Sequence, residues 1–206
     1  AAQNGMKVYS VDDQFVGPDG KFLDVPYMGI SARAIGETVG KTLAEEWKKR
    51  GWKVEETGAC ALTFDELDTA KHRTDGTAAV LSDAGFPESR IHRSALKTTD
   101  VPGAFDAATS VLTQHSEVRR WLVFSVNDEG VLGAVRAMEN RGLGAAEVIG
   151  VGIGGETGSL EFEKEKPTGF FATCVISPRR HGFETVERLY RWIQEGVQPP
   201  PDIRTE

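Results

Sequence analysis

Apolar residues along this chain follow two rhythms. Short unbroken runs bounded by turn residues read as buried strands, and apolar residues spaced by three and four read as helix faces. The first run is Met6 to Val11. A turn-rich loop, Gly17-Pro18-Asp19-Gly20, follows, and the chain resumes from Leu23 to Ile30. From Ser31 the period changes. Ile35, Val39, Leu43 and Trp47 recur every fourth residue, Glu45, Glu46, Lys48 and Lys49 fill the other face, and Gly51 ends the helix. The pattern then predicts a strand over 60–63, a helix over about 66–84 and a strand over 91–96. Next come a helix over 101–114 with Ala104, Ala108, Val111 and Leu112 inward, a strand over 121–126 and a helix over 129–140. A strand over 148–153, a short loop-helix region to Lys166 and a strand over 169–176 complete the series. A last helix over 178–195 is expected to turn Phe183, Val186, Leu189 and Ile193 inward, and Pro199-Pro200-Pro201 stops it. Residues Ala1 to Gly5 read as the end of a helix, because Asn4-Gly5 is a common stop.

Strand–helix alternation from Cys60 to Ile176 calls for an α/β fold with a parallel sheet covered on both faces. Right-handed crossovers make such a sheet doubly wound, with the Cys60 and Trp121 strands flanking its switch point. Residues 1–30 and 177–206 each supply about one strand–helix unit and do not fit this lobe. They are expected to form a partial second lobe, which the chain leaves near Ile30 and re-enters near Ser177, with 31–176 as the first lobe.

Composition narrows the function. The chain has 206 residues, 27% charged and 39% hydrophobic, which is globular composition with ample material for a core. The net charge of −7 argues against non-specific nucleic-acid binding, which needs a Lys/Arg footprint. No apolar run approaches the roughly 20 residues of a membrane span. No leader-like segment opens the chain, which reads as cytosolic or as a processed or trimmed product. Cys60 and Cys174 fall on strands that are not neighbours in the proposed sheet, so two free thiols are expected. Neither cysteine has metal-ligand spacing, and no cofactor is expected.

Candidate chemistry gathers at the carboxyl ends of strands, where open α/β sheets bind ligands. Asp12 and Asp13 follow the first strand. They read either as turn and cap residues or as acceptors for the hydroxyls of a polyhydroxylated ligand, and hydrogen bonds to charged groups are the strong kind. Asp65 to Arg73 follows the Cys60 strand, with Asp65 or Glu66 starting a helix and Thr69 and Arg73 on one face. Arg73 is either a solvated partner of Glu66 or Asp65 or a fork donor into a cleft. Asn127 is either an N-cap or an amide suited to vicinal hydroxyls. The glycines at 150–155 lack the acidic partner and the long helix of a dinucleotide site. His72, His92, His115 and His181 are scattered without triad or metal logic. Adjacent aspartates on one strand point to opposite sides and are poorly placed to flank one glycosidic bond, so an enzyme is not expected.

Several stretches taken in order resemble the L-arabinose-binding protein family of bacterial ABC sugar importers. They are Val11-Asp12-Asp13-Gln14-Phe15, Lys49-Arg50-Gly51-Trp52, Glu66-Leu67-Asp68-Thr69-Ala70, Gly85-Phe86-Pro87-Glu88, Val101 to Ala108, Asn127-Asp128 with Val131-Leu132-Gly133, and His181-Gly182. The resemblance covers essentially the whole chain. It implies a type I periplasmic-binding-protein-like fold, with two Rossmann-like lobes and a sugar held in the cleft. By position, Asp12 and Asp13 match the family's paired aspartates, the second of which accepts from the ring and anomeric hydroxyl region. Arg73 matches the arginine on the ring oxygen and a hydroxyl, Asn127 the first of two sugar-binding asparagines, and Leu67 and Thr69 residues lining the pocket. Ile30 falls where the family usually has a methionine against the sugar, and Gly154 where it has the second asparagine. The missing amide at Gly154 removes two to four hydrogen bonds unless water replaces them.

The resemblance also implies that the chain starts after the family's lysine, glutamate and aromatic platform and stops before its last hinge crossing. Losing a charged pair and a stacking ring costs roughly 4–6 kcal/mol, so weakened or absent sugar binding is expected. Raw strand edges then predict a homodimer. The implied partners are an arabinose- or galactose-like monosaccharide and an ABC permease for the full-length protein. The implied location is the periplasm, or the outside of a Gram-positive cell with a lipid anchor, and the chain is not membrane-embedded. The second function class is the ligand-sensing domain of a sugar-responsive repressor, which shares the fold.

Overall fold

The computed structural model describes residues 4–205. In chain order the elements are β1 (Ser10–Val11), β2 (Tyr27–Ile30), α1 (Ala32–Lys49), β3 (Thr57–Thr63), α2 (Asp68–Asp83), β4 (Ile91–Ala95) and α3 (Val101–Gln114). They continue with β5 (Arg120–Phe124), α4 (Asp128–Glu139), β6 (Val148–Gly154), α5 (Glu156–Phe162), β7 (Phe170–Val175), α6 (Pro178–Glu195) and β8 (Asp202–Thr205). The chain divides into two compact units, one of residues 1–31 with 177–206 and the other of residues 32–176.

The larger unit is a five-stranded, wholly parallel sheet of order β4-β3-β5-β6-β7. The winding direction reverses between β3 and β5, as expected from the Cys60 and Trp121 strands. Every residue of β3 is buried, and β6 is buried up to Gly154, because helices cover both faces. Cys60, Leu62, Trp121 and Val123 form one core with Ala104, Ala108, Val111 and Leu112 of α3 and Val131, Ala134, Val135 and Met138 of α4. On α1 the four-residue series Ile35, Val39, Leu43 and Trp47 is buried throughout. Glu161 of α5 is buried and takes ion pairs from Arg136 of α4 and from Lys164, which fasten the short helix down. Cys60 and Cys174 stand on β3 and β7, with two strands between them, and both are free; burial pushes the Cys60 thiol up to about 12.

Helices α1 and α2 touch through backbone. A Cβ on Gly36 would lie 2.0 Å from the carbonyl oxygen of Arg73, and one on Gly76 would lie 2.7 Å from that of Arg33. The Thr77 hydroxyl bridges the gap, at 2.9 Å from the Gly36 carbonyl and 3.0 Å from that of Arg73. This contact sets where the Arg73 turn of α2 stands.

The smaller unit is a three-stranded parallel sheet of order β1-β2-β8. Two expectations fail here. The strand expected over Met6–Val11 shrinks to Ser10–Val11, and only Ser10 of the run is buried. Ser10 N–H bonds the Pro26 carbonyl at 2.8 Å, but the next rung back would need an N–H from residue 26, and proline has none. Residues 7–9 instead run beside α6, with the Lys7 ammonium 4.9 Å from the Trp192 ring centre. Helix α6 keeps its expected bounds but not its expected orientation. Phe183 is 69% exposed, Val186 68% and Ile193 56%, while Leu189 is half-buried. The face carrying Thr185, whose hydroxyl lies 3.8 Å from the Met28 sulfur, meets the sheet instead. Among the described residues no element of this unit covers the apolar stripe. Of the expected N-terminal helix end, Ala1–Gln3 lie outside the described residues, and Gly5 takes φ +74°. Among the described residues no helix is long and apolar enough to cross a membrane.

Gly36→Ala tests the helix contact. Alanine gains about 1 kcal/mol of helix propensity, but the added methyl meets backbone that cannot swing away, and overpacking costs about 1–3 kcal/mol. The expected result is a net loss of stability in thermal or urea unfolding, with exposed Thr38→Ala as a near-neutral control.

Candidate functional site

In the smaller unit β1 stops at Val11 and the chain turns at once. The Asp13 N–H donates to the Val11 carbonyl at 3.0 Å, and Asp12 between them has φ +71°. That is the hydrogen bond and backbone angle of the rare, strained form of γ-turn. Such a conformation costs about 1–3 kcal/mol and persists only where its surroundings over-determine it. Here the Asp12 N–H bonds the Met28 carbonyl at 2.9 Å, the Tyr27 hydroxyl donates to the Asp12 carbonyl at 2.5 Å, and the Ser10 hydroxyl donates to the Asp13 carbonyl at 2.6 Å. Asp12 is exposed, Asp13 is half-buried and Ile30 closes β2 as a buried residue. Burial raises the Tyr27 hydroxyl above its ordinary pKa, the Arg204 guanidinium lowers it in part, and Asp13 and Asp12 raise it further.

In the larger unit the other candidates stand along the carboxyl-end rim of the sheet. Helix α2 begins at Asp68, and the residue before it, Leu67, is extended and 44% exposed with no side-chain cap. The expected start at Asp65 or Glu66 is therefore two to three residues early. Thr69 is half-buried in the first turn, and Arg73 follows one turn on. The Arg73 guanidinium reaches the tip of β5, where Nη1 donates to the Val126 carbonyl at 2.7 Å. Asn127 is the N-cap of α4: its Oδ1 accepts from the Gly130 N–H at 2.8 Å, and its Nδ2 donates to the Thr99 carbonyl at 2.9 Å. A carboxamide bound in this way retains one N–H and one lone pair. Gly154 ends β6 at φ +137°.

Asp128, next to the capping Asn127, is a framework residue that its sequence position alone does not reveal. It is buried, and it accepts from the Thr173 hydroxyl at 2.6 Å, the Gly155 N–H at 2.8 Å and the Gly158 N–H at 3.0 Å. One carboxylate thus joins the start of α4, the first turn of α5 and strand β7. Its room comes from glycines, since a Cβ on Gly152 would lie 2.2 Å from Asp128 Oδ1. The signal in sequence is the alternation of Gly150, Gly152 and Gly154 with Val151 and Ile153, which leaves one face of β6 without side chains from residue 150 onward. Cys174 on β7 stands near this group. Burial raises its thiol, Arg73 lowers it and Asp128 raises it.

The same unit carries an open depression of about 440 Å³ after β4, lined in part by Ser94, Lys97, Thr98, Asp100 and Asp106. None of the sequence candidates lines it, and Asp100 is already occupied as the cap of α3. Among the described residues no group of three or more His, Cys, Asp or Glu is placed to hold a metal ion. Taken separately, the rim of the smaller unit offers acceptors from Asp12 and Asp13, and the rim of the larger unit offers donors from Arg73 and Asn127.

A family model described as periplasmic binding proteins and sugar binding domain of LacI family matches residues 1–205. The L-arabinose-binding periplasmic protein of Escherichia coli (strain K12) is 48% identical over 196 residues, 95% of this chain and 60% of that protein. An ABC transporter L-arabinose-binding periplasmic protein of Azospirillum brasilense is 46% identical over 207 residues, 100% of this chain and 62% of its own length. This chain therefore spans about 60% of the length of these two relatives. Among solved structures, a periplasmic solute-binding protein of an ABC transporter from Actinobacillus succinogenes 130z, with bound D-allose, gives a TM-score of 0.80 at 21% identity, over 100% of this chain and 69% of that one. A periplasmic ribose ABC transporter from Conexibacter woesei DSM 14684 gives 0.76 at 18%, over 100% and 64%. At these identities the likeness is one of fold.

Asp128→Asn replaces an acceptor of three donors by a group that presents an N–H to one of them. The expected loss is about 2–3 kcal/mol of stability, with faster amide exchange at Gly155 and Gly158. Unchanged exchange at both would show that the carboxylate does not fasten α5.

Proposed function

This chain belongs to the family of periplasmic binding proteins and sugar-binding domains of the LacI family, and we propose that it is sequence of the solute-binding component of an ABC sugar importer. The ligand is L-arabinose or a related pentose or hexose, and the protein works by binding, without catalysis, in the periplasm beside an ABC permease. The observation that carries this reading is the near-half identity, along nearly the whole chain, to two proteins named for L-arabinose binding. The sensor-domain reading draws on the family description, which includes LacI-type domains; both of these relatives are periplasmic proteins, which favours the importer.

Within this reading residues 31–176 are the C-terminal-type lobe, and residues 1–30 with 177–206 are part of the N-terminal-type lobe. Asp13 accepts from sugar hydroxyls with Asp12 beside it, and Arg73 donates to the ring oxygen and a hydroxyl. Asn127 uses the capacity its capping role leaves over. Leu67, Thr69 and Ile30 supply the lining. Gly154 offers no amide, so binding is weakened. Each absent neutral hydrogen bond costs about 0.5–1.5 kcal/mol.

Titration with L-arabinose and D-galactose tests the assignment. The expected affinity is weaker than micromolar, with Asp13→Asn and Arg73→Ala each lowering it by about tenfold or more. A micromolar dissociation constant overturns the weakened binding, and unaltered affinity in both variants overturns the residue roles.

The uncovered stripe of Phe183, Val186, Tyr190 and Ile193 on α6 also supports a homodimer of this chain. Light scattering is expected to give twice the 22.4 kDa chain mass. A monomeric mass at every working concentration overturns the dimer.

A further inference from the structure

We infer that Tyr27 is a positioning residue, whose hydroxyl holds the Asp12–Asp13 turn so that the Asp13 carboxylate keeps one direction toward a sugar hydroxyl. The inference rests on the sugar-binding reading of Asp13 and adds the device that aims it.

The device spans three strands. Tyr27 is 1% exposed, yet its hydroxyl emerges at the tip of β1 to donate to the Asp12 carbonyl. It can do so because residue 29 is glycine. Residues 27 and 29 share a face of β2, and a Cβ on Gly29 would lie 1.7 Å from the Tyr27 hydroxyl oxygen. Across the ladder, Gly29 pairs with Arg204 of β8. The Arg204 guanidinium stands 4.7 Å over the Tyr27 ring centre, and its Nη1 donates to the Tyr27 hydroxyl at 3.2 Å. Asp202 holds Arg204 through two contacts, at 2.9 and 3.1 Å. With Arg204 occupying a lone pair of the phenol oxygen, the single phenol proton goes to Asp12. Donation into that oxygen also makes its proton a better donor.

The consequence falls on Asp13. The peptide plane between Asp12 and Asp13 is pinned at both ends, its carbonyl by Tyr27 and its N–H by the Val11 carbonyl. The Asp13 carbonyl is pinned by Ser10. A Cα between two fixed peptide planes has one Cα–Cβ direction, which leaves the carboxylate only the few staggered choices of its own torsions. Packing alone does not require the hydroxyl, because phenylalanine fills the same volume and the β1–β2–β8 ladder is made of backbone bonds.

The test is Tyr27→Phe in the full chain, with Arg204→Gln as a second variant at an exposed residue. Amide exchange at Asp12 and Asp13 is read alongside thermal stability and sugar affinity. Tyr27→Phe is expected to speed exchange at both amides about tenfold and to weaken L-arabinose binding, with little change in melting temperature. Asp12→Gly in the Tyr27→Phe background is expected to slow exchange at residue 13 again, since glycine takes positive φ without strain. With Asp13→Asn already in place, Tyr27→Phe is expected to have no further effect on affinity. Unchanged exchange in Tyr27→Phe overturns the inference. Faster exchange with unchanged affinity overturns the role of the turn in sugar binding. Absence of sugar binding by the unmodified chain overturns the residue roles given in the preceding subsection, while the exchange measurement still decides whether Tyr27 holds the turn.

Discussion

At the carboxyl rim of a parallel sheet the backbone runs out of partners, and the arrangement of this chain depends on how that shortage is met. Each strand hands over to a helix whose first N–H groups have no carbonyl to bond. Polar side chains at the rim are therefore claimed by the backbone first. Asp100 caps α3, Asn127 caps α4 and Ser177 caps α6. Asp128 goes further and fastens the start of α5 to the start of α4. At β1 a γ-turn takes the place of a helix, and its carbonyls are held by Tyr27 and Ser10. A group fixed in this way gives up little freedom when a ligand arrives, because its position was settled by folding. The proposed sugar contacts are thus the remaining capacity of a structural framework. Asn127 is the clearest case, an N-cap with one donor and one acceptor site still to offer.

Local rules were legible in sequence wherever both the cause and the effect were local. Helices α3 and α6 have their expected bounds because Asp100 with Pro102, and Ser177 with Pro178, mark their starts. The buried face of α1 was legible because Ile35, Val39, Leu43 and Trp47 recur at a helical period. Expectations failed where a distant partner decided the outcome. Met6 to Val11 is as apolar as a strand, but the missing N–H of Pro26 on the neighbouring segment ends its ladder. The period of α6 identifies an apolar stripe correctly. A period defines a face and says nothing of what stands against it, and the sheet of this unit takes the Thr185 side instead.

The candidate site divides in the same way. Asp12-Asp13, Arg73 and Asn127 could be singled out from their positions after strands. The positive φ of Asp12 could not, because it depends on Tyr27, Gly29 and Arg204, which meet only when β1, β2 and β8 pair. Asp128 carries no role that its sequence position beside Asn127 reveals. Its burial depends on the side-chain-free face that Gly152 and Gly154 give to β6.

That dependence bears on the departure at Gly154. The resemblance to the arabinose-binding family places an asparagine there, so glycine reads at first as a simple loss of an amide. The backbone shows a second difference. Gly154 sits at φ +137°, and a Cβ on it would lie 3.3 Å from Asp128 Oδ2. Asparagine tolerates the left-handed region near +60°, but this angle lies in territory that only glycine occupies readily. Restoring an asparagine would therefore strain the end of β6 and crowd the carboxylate that fastens α5. Glycine at 154 and the Asp128 latch are therefore coupled, because the residue that lacks an amide side chain is also the one that lets β6 approach α4 closely. Under the proposed sugar-binding reading, an asparagine substituted at this position would be opposed by backbone conformation as well as by the crowded carboxylate.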